Sequence, residues 1–375
     1  MGRSALMGAV FVALLVTNAS AESTPGESDT SFVTGLLENG GLSEDADASE
    51  TATLDRVRER AALNCGVVQG GTGETAPGIP GFAAPDTNGV WQGFDVALCR
   101  ALAAAILDDP MAVNFIPTTA ENRFGGLADG RIDLLVGTTS WSFARDVGDK
   151  FDFAGVTYYD GQGFMVPKER GFSSVRDLEG ARICVRSGTA DALALDDYFH
   201  LNDMDYDKVL AESSLDAQRK YLDGECEAYT GNASILAATR ATFRNSPDHV
   251  LLPELISKEP RGPMIRHDGG EWGDLVRWTL YALIAAEEYG ITSANIKEMA
   301  EGTDNPEINR LLGNTGDLGK MLDLDADWAV RAIKVNGNYG EIFAKNIGEE
   351  TPVGLPRGLN AQWKDGGLLY APPFR

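Results

Sequence analysis

The sequence predicts an α/β protein of two lobes that face each other across a cleft and are joined by a two-strand hinge. Three observations carry this. At 375 residues the chain is too long for one average domain and suits two, at roughly 150 residues each. Short apolar runs alternate with helix-period segments in two separate series, over residues 63–136 and 181–252. Two extended segments, residues 159–164 and 255–265, bracket the second series, so the chain leaves the first lobe and later returns to it. Closure of such a cleft on a ligand is a hinge motion.

Residues 1–21 pair Arg3 with an apolar run from Ala5 to Val16 and end in Ala19-Ser20-Ala21. That run is shorter than the ~20 residues a spanning helix needs, so it reads as a secretory signal cleaved after Ala21, with an uncleaved anchor as the alternative. Residues 22–50 carry acidic residues, Ser, Thr and Gly with no Lys or Arg, the composition of a disordered leader. The formal charge of -24 argues against nucleic-acid binding, which needs a basic field.

The first lobe opens with a helix over 54–61 and a strand over 63–68. A Gly/Pro-rich turn over 69–86 follows, and its Gly71-x-Gly73-x-x-Ala76 lacks the helix that a dinucleotide fingerprint requires. Phe82 lies near the end of this turn, where an exposed aromatic either stacks on a ligand or pins the loop. Apolar residues at Phe94, Leu98, Ala101, Leu102 and Ala105 mark a helix. A strand over 112–116, a helix over 120–128 and a strand over 132–136 complete the series. In the second lobe, strands over 181–185, 208–211, 226–230 and 250–252 alternate with helices over 189–199, 214–222 and 233–243. The remainder reads as helical, notably 271–289 and 325–347. The lobe boundaries are thus 51–160 with 264–375 for the first, and 161–263 for the second.

The hydroxyl-rich stretch Thr138-Thr139-Ser140-Trp141-Ser142-Phe143-Ala144-Arg145 leaves the end of a buried strand, where open α/β sheets bind ligands. Free backbone N–H groups, the hydroxyls of Thr138 and Ser140, and the planar fork of Arg145 would seat a carboxylate. The alternative is a capped helix with Arg145 paired to Asp146 or Asp149 on the surface. Ser187-Gly188-Thr189-Ala190 repeats the arrangement in the second lobe. Asn232 projects from another strand end and suits either a ligand contact or the N-cap of the next helix.

The four cysteines are an even number in a chain read as exported, and each half owns a strand Cys and a later Cys. The expected pairs are Cys65 with Cys99 and Cys184 with Cys226. Zinc is the alternative, but Cys-x-x-Cys is missing and His200, His249 and His267 are scattered, so neither metal nor cofactor is expected.

Gly93-Phe94-Asp95-Val96, Asn122-Arg123-Phe124, Thr138 to Arg145, Gly188-Thr189, Ser257-Lys258-Glu259-Pro260-x-Gly262-Pro263, Ala285 to Thr292, Gly337 to Ile342 and Gly358-Leu359-Asn360-x-x-Trp363 carry a resemblance. Together they resemble the polar and general L-amino-acid substrate-binding proteins of ABC transporters, solute-binding protein family 3. The likeness runs from about Leu54 to the C-terminus. It implies a two-lobed periplasmic binding protein fold of type II, in a monomer that delivers an L-amino acid or close derivative to an inner-membrane permease and its ATPase. Carried over by motif, Arg145 would fork the α-carboxylate beside Thr138 and Ser140, and residues 188–190 would add donors. The four cysteines fall where that branch has paired ones.

Three positions depart from the family pattern. Asn232 stands where an Asp usually holds the ligand ammonium, residues 71–78 look like an insertion at the cleft mouth, and Arg261 replaces a usual apolar residue. Dehydratases acting on cyclohexadienyl acids also resemble this family, and Glu74 and Asp191 are the acids that could serve such chemistry. A ligand sensor is a third class. The expectation is a binding protein without catalytic residues.

Overall fold

The computed structural model describes residues 52–69, 78–119, 122–149, 151–267 and 270–375. The expected signal, the acidic leader, Glu74 and the insertion up to residue 77 lie outside them.

Chain order gives α1 (Ala52–Arg60), β1 (Leu63–Val68), the short β2 (Ala84–Pro85) and β3 (Trp91–Gln92), then α2 (Phe94–Leu107), β4 (Val113–Thr118), α3 (Arg123–Ala128), β5 (Leu134–Val136) and β6 (Phe151–Phe153). All five residues of the predicted apolar face of α2 are buried. Gly93 starts that helix at φ 132°, with Phe82 O only 2.1 Å from the place a Cβ would take, so only glycine admits the turn. Next come β7 (Tyr158–Asp160), β8 (Gln162–Pro167), β9 (Arg182–Arg186), α4 (Ala190–Leu201), β10 (Asp207–Ala211), α5 (Ser214–Leu222), β11 (Ala228–Asn232), α6 (Ala233–Arg240) and β12 (His249–Leu251). The chain returns through β13 (Glu259–Arg261) and β14 (Met264–Arg266) to α7 (Gly270–Glu288).

These strands form two five-stranded sheets, ordered β4-β1-β5-β14-β6 and β10-β9-β11-β8-β12. Their middles are parallel, β1 with β4 and β5, and β9 with β10 and β11. Strands buried on both faces read as continuous apolar runs, which is why β1 and β9 were visible as such. Antiparallel β7 and β13 connect the two sheets, with Glu259 opposite Asp160 and Arg261 opposite Tyr158. The architecture is the two-lobed α/β fold with a two-strand hinge.

Each disulfide stays with one sheet. Cys65–Cys99 ties β1 to α2 and Cys184–Cys226 ties β9 to the turn before β11, with Cα separations of 6.3 and 5.7 Å. Both expected pairings are present.

Some elements differ from expectation. The helix expected over 325–347 is two, Trp328–Asn336 and Tyr339–Asn346. Gly337 at φ 84° ends the first, and Asn338 caps the second by accepting from Glu341 N while the Glu341 carboxylate returns to Asn338 N. Strand β6 was not expected because three residues are too few to show a period. Strand β11 runs on to Asn232, two residues past its expected end.

Candidate functional site

The first seat is anchored to the hinge. Ser140 forms an isolated antiparallel bridge with Arg261, and Trp141 N donates to Pro260 O at 2.7 Å. That ladder is itself held: the Asn360 side chain accepts from Tyr159 N at 2.7 Å and donates to Tyr159 O at 3.0 Å, and Tyr339 donates to Thr157 O at 2.7 Å. The C-terminal motif around Asn360 therefore clamps the hinge. Gly262 passes so close to Gly155 that a Cβ would meet its carbonyl oxygen at 1.9 Å.

Thr138 is half-buried, Thr139 and Ser140 are buried, and Thr139 Oγ1 has no hydrogen-bond partner among the described residues. A buried hydroxyl at a strand end can donate to or accept from a polar ligand atom. The chain after Phe143 makes one π-helical turn, Ala144–Gly148, in place of the expected α-helix. Arg145 is half-buried, donates to Ser140 O at 2.6 Å and makes no ion pair among the described residues. Asp146 instead accepts from Trp141 Nε1 at 2.7 Å. Arg145 is thus not paired with Asp146 or Asp149 here.

The second seat is a turn on Gly188 at φ 68°, followed by Thr189 as N-cap of α4. Thr189 Oγ1 accepts from Ala192 N and donates to Arg186 O, while Gly188 and Ala190 are exposed. Asn232 occupies the N-cap position of α6, yet its side chain makes no capping bond. The cap comes from elsewhere: Gly161 O accepts from Ala233 N, and Asp160 accepts from Ser234 N and Ser234 Oγ. Asn232 is half-buried and its amide is left to other partners.

Between the seats lies a charged cluster that sequence reasoning did not assemble. Arg261, 2 % exposed, pairs with Asp160 at 2.5 Å and donates to Ser234 Oγ at 2.8 Å. Its charge also reaches Asp95 and Asp191. Asp95, in the first turn of α2, sets Oδ2 3.6 Å from the place a Cβ on Gly137 would take. Burial pushes its carboxyl up to about 7, against the pull of Arg261. Asp191 is pushed up to about 6, first by burial and then by Glu259. Arg261 was noted only as a departure and Asp95 only as part of a motif. The legible signal was a charge at a position where the resemblance implies an apolar residue.

Phe82 is corrected. It is 2 % exposed and packs edge-on against Phe94 and Tyr158, at centroid distances of 6.2 and 6.0 Å, so it pins the loop from beneath rather than lying on an exposed surface. A cavity of about 330 Å³ lined by Trp141, Tyr159, Arg277, Tyr281 and Tyr370 borders the first seat only through Trp141. It is lined by none of Thr138, Ser140, Arg145, Gly188, Thr189, Ala190 or Asn232. Among the described residues there is no grouping of His, Cys, Asp and Glu suited to a metal.

Residues 74–349 match the bacterial extracellular solute-binding proteins, family 3. The chain is 54% identical over 330 residues to the glutamate/glutamine/aspartate/asparagine-binding protein BztA of Rhodobacter capsulatus, covering 88% of this chain and 95% of that one. It is 47% identical over 332 residues to the general L-amino acid-binding periplasmic protein AapJ of Rhizobium johnstonii, with the same coverage of 88% and 95%. Among solved structures, an ABC transporter periplasmic binding protein from Brucella ovis with glutathione bound superposes with a TM-score of 0.78 at 48% identity, over 86% of this chain and 99% of that one.

Proposed function

Because this chain belongs to the bacterial extracellular solute-binding proteins, family 3, we propose that it is the periplasmic binding component of an amino-acid ABC importer. It binds an L-amino acid or close derivative between the lobes formed by residues 51–160 with 264–375 and by residues 161–263. The observation that carries this is Arg145, a guanidinium with no ion pair among the described residues, bonded to Ser140 O where Ser140 bridges to the hinge residue Arg261. Its fork takes the ligand carboxylate, with Thr138 and Ser140 beside it. Residues 188–190 contribute donors from the other lobe, and Asn232 faces the amino group. Closure delivers the loaded monomer to a permease and its ATPase.

Export on a signal ending at Ala21 belongs to the same reading. Among the described residues no helix is long and apolar enough to cross a membrane. The relatives are binding proteins, and no turnover is expected here.

The test is a thermal-shift series with L-glutamate, L-glutamine, L-aspartate, L-asparagine and glutathione, alongside prephenate and arogenate. A ligand at 100 times its Kd adds about 2.7 kcal/mol of stability, which raises Tm. A shift from one or more amino acids supports the proposal. Conversion of prephenate or arogenate to an aromatic product would replace it with the dehydratase reading.

A further inference from the structure

An α-amino acid brings an ammonium as well as a carboxylate, and an ammonium has three donors to satisfy in a site that excludes water. The neutral Asn232 offers one acceptor and no charge. The carboxylate of Asp191, near Gly231 at the same strand end, would supply both.

Asp191 stands in the first turn of α4, half-buried, with no hydrogen bond and no ion pair from its side chain among the described residues. Its Oδ2 lies 4.0 Å from the place a Cβ on Gly231 would take, next to Asn232. The charged groups around it are Glu259, Arg261, Asp160 and Arg186, and Tyr229 faces it from β11. Neither cation neutralises it by contact. Arg261 is occupied by Asp160 and Ser234, and Arg186 is exposed. A carboxylate raised to about 6 by burial and by Glu259 is one that an arriving cation would relieve.

A second, independent observation points to the same place. Gln162 is fully buried, and its Nε2 donates to Asp191 O at 2.9 Å and to Thr230 Oγ1 at 3.0 Å. Its Oε1 has no hydrogen-bond partner among the described residues. Gln162 lies directly opposite Asn232 in the β8–β11 ladder, so the two side chains share one face of the sheet. A buried acceptor with no donor is costly unless something else supplies one. Gln162 thus ties the Asp191 turn to the strand end that carries Asn232, through its bond to Asp191 O and its register opposite Asn232.

We infer that Asp191 is the residue that receives the α-ammonium of the ligand, with Gln162 and Asn232 completing its hydrogen bonds. The inference rests on the reading above that the ligand is an amino acid. It assigns charge selection to the α4 turn and leaves Asn232 a neutral acceptor.

The experiment is titration calorimetry with L-glutamate, L-glutamine and (S)-2-hydroxyglutarate, which keeps both carboxylates of glutamate and replaces the ammonium by a hydroxyl. Asp191→Asn should weaken whichever amino acid the wild type binds by tenfold or more. Affinity for 2-hydroxyglutarate should stay within about twofold of the wild-type value or rise, since charge-assisted bonds are about twice as strong as neutral ones. The double variant Asp191→Asn/Asn232→Asp, which moves the charge by one position, should recover most of the loss. Unchanged amino-acid affinity in Asp191→Asn overturns the inference, and so does an equal loss for the amino acid and the hydroxy acid. A lowered Tm of unliganded Asp191→Asn without recovery in the double variant assigns the residue to folding instead and also overturns it. Failure of the wild type to bind any amino acid of the thermal-shift series, in contrast, strikes the functional proposal itself.

Discussion

Asp160 on the hinge strand receives the Ser234 hydroxyl at 2.7 Å and thereby caps a helix that begins 73 positions later in the chain, at Ala233. The same carboxylate pairs with Arg261 at 2.5 Å. One acid thus caps a second-lobe helix and neutralises a buried cation on the partner hinge strand. Removing one member of a buried pair leaves the other uncompensated, at about 3–5 kcal/mol, whereas removing both costs much less. Asp160→Asn should therefore lower unfolding stability by that amount in urea titration, and Asp160→Asn/Arg261→Leu should regain a large part of it. Additive losses would show that the two charges do not depend on each other.

Arg145→Ala should leave the fold intact. Arg145 is half-buried and its one hydrogen bond among the described residues goes to a backbone oxygen, so stability should change by about 0.5 kcal/mol or so. Ligand binding should weaken by about 2–5 kcal/mol, because the ligand carboxylate loses a charge-assisted partner in a closed site. Calorimetry with the best amino acid of the thermal-shift series measures this, and an affinity within a few-fold of wild type would remove Arg145 from the site.

The disulfides close loops with sequence separations of 34 and 42, which corresponds to about 4 kcal/mol each in the chain-entropy account. Each staples a single lobe, so neither restricts the hinge. Reduction should lower the denaturation midpoint steeply while ligand affinity, measured under conditions where the reduced protein is still folded, changes little. A large affinity change on reduction would mean that one bridge restrains lobe closure.

The sequence made the two αβ series and both disulfides legible because their signals are local: buried apolar strands, glycine turns before helices, and a cysteine in the first parallel strand of each series. Cys184 and Cys226, separated by 42 positions, still fell within one αβ series, so pairing could follow from topology. The role of Asp160 was not legible, since nothing near Asn232 announces that the helix after it is capped from another strand. For the same reason Asn232 read equally as a cap or a contact, and only the fold frees its side chain. Phe82 misled because a Gly/Pro-rich turn suggests exposure, whereas Phe94 and the sequence-distant Tyr158 cover it. Gly337 could have been read as a helix stop, but the apolar period continues across it.

Asp95 makes stability depend on pH with the same sign as Asp191 and over a wider window. Burial raises its carboxyl from 3.8 to about 7, even with Arg261 nearby. A raised folded-state value means that the native protein holds this proton more tightly than the unfolded chain does. The contribution to stability is therefore fully present below pH 4 and is lost as pH rises to about 7, since the unfolded chain ionises first. At 1.36 kcal/mol per unit the loss is up to about 4 kcal/mol across that window. Asp95→Asn keeps a neutral side chain of the same shape at every pH, so the variant should match wild type near pH 4 and exceed it by up to about 4 kcal/mol at pH 8. Subtracting the two urea-denaturation series at each pH cancels the titration of the remaining carboxylates. Removing the nearby cation adds a directional check: Arg261→Leu should push Asp95 higher still and extend the wild-type decline beyond pH 7. A difference between Asp95→Asn and wild type that is flat from pH 4 to pH 8 would show that Asp95 is ionised and compensated in the native state.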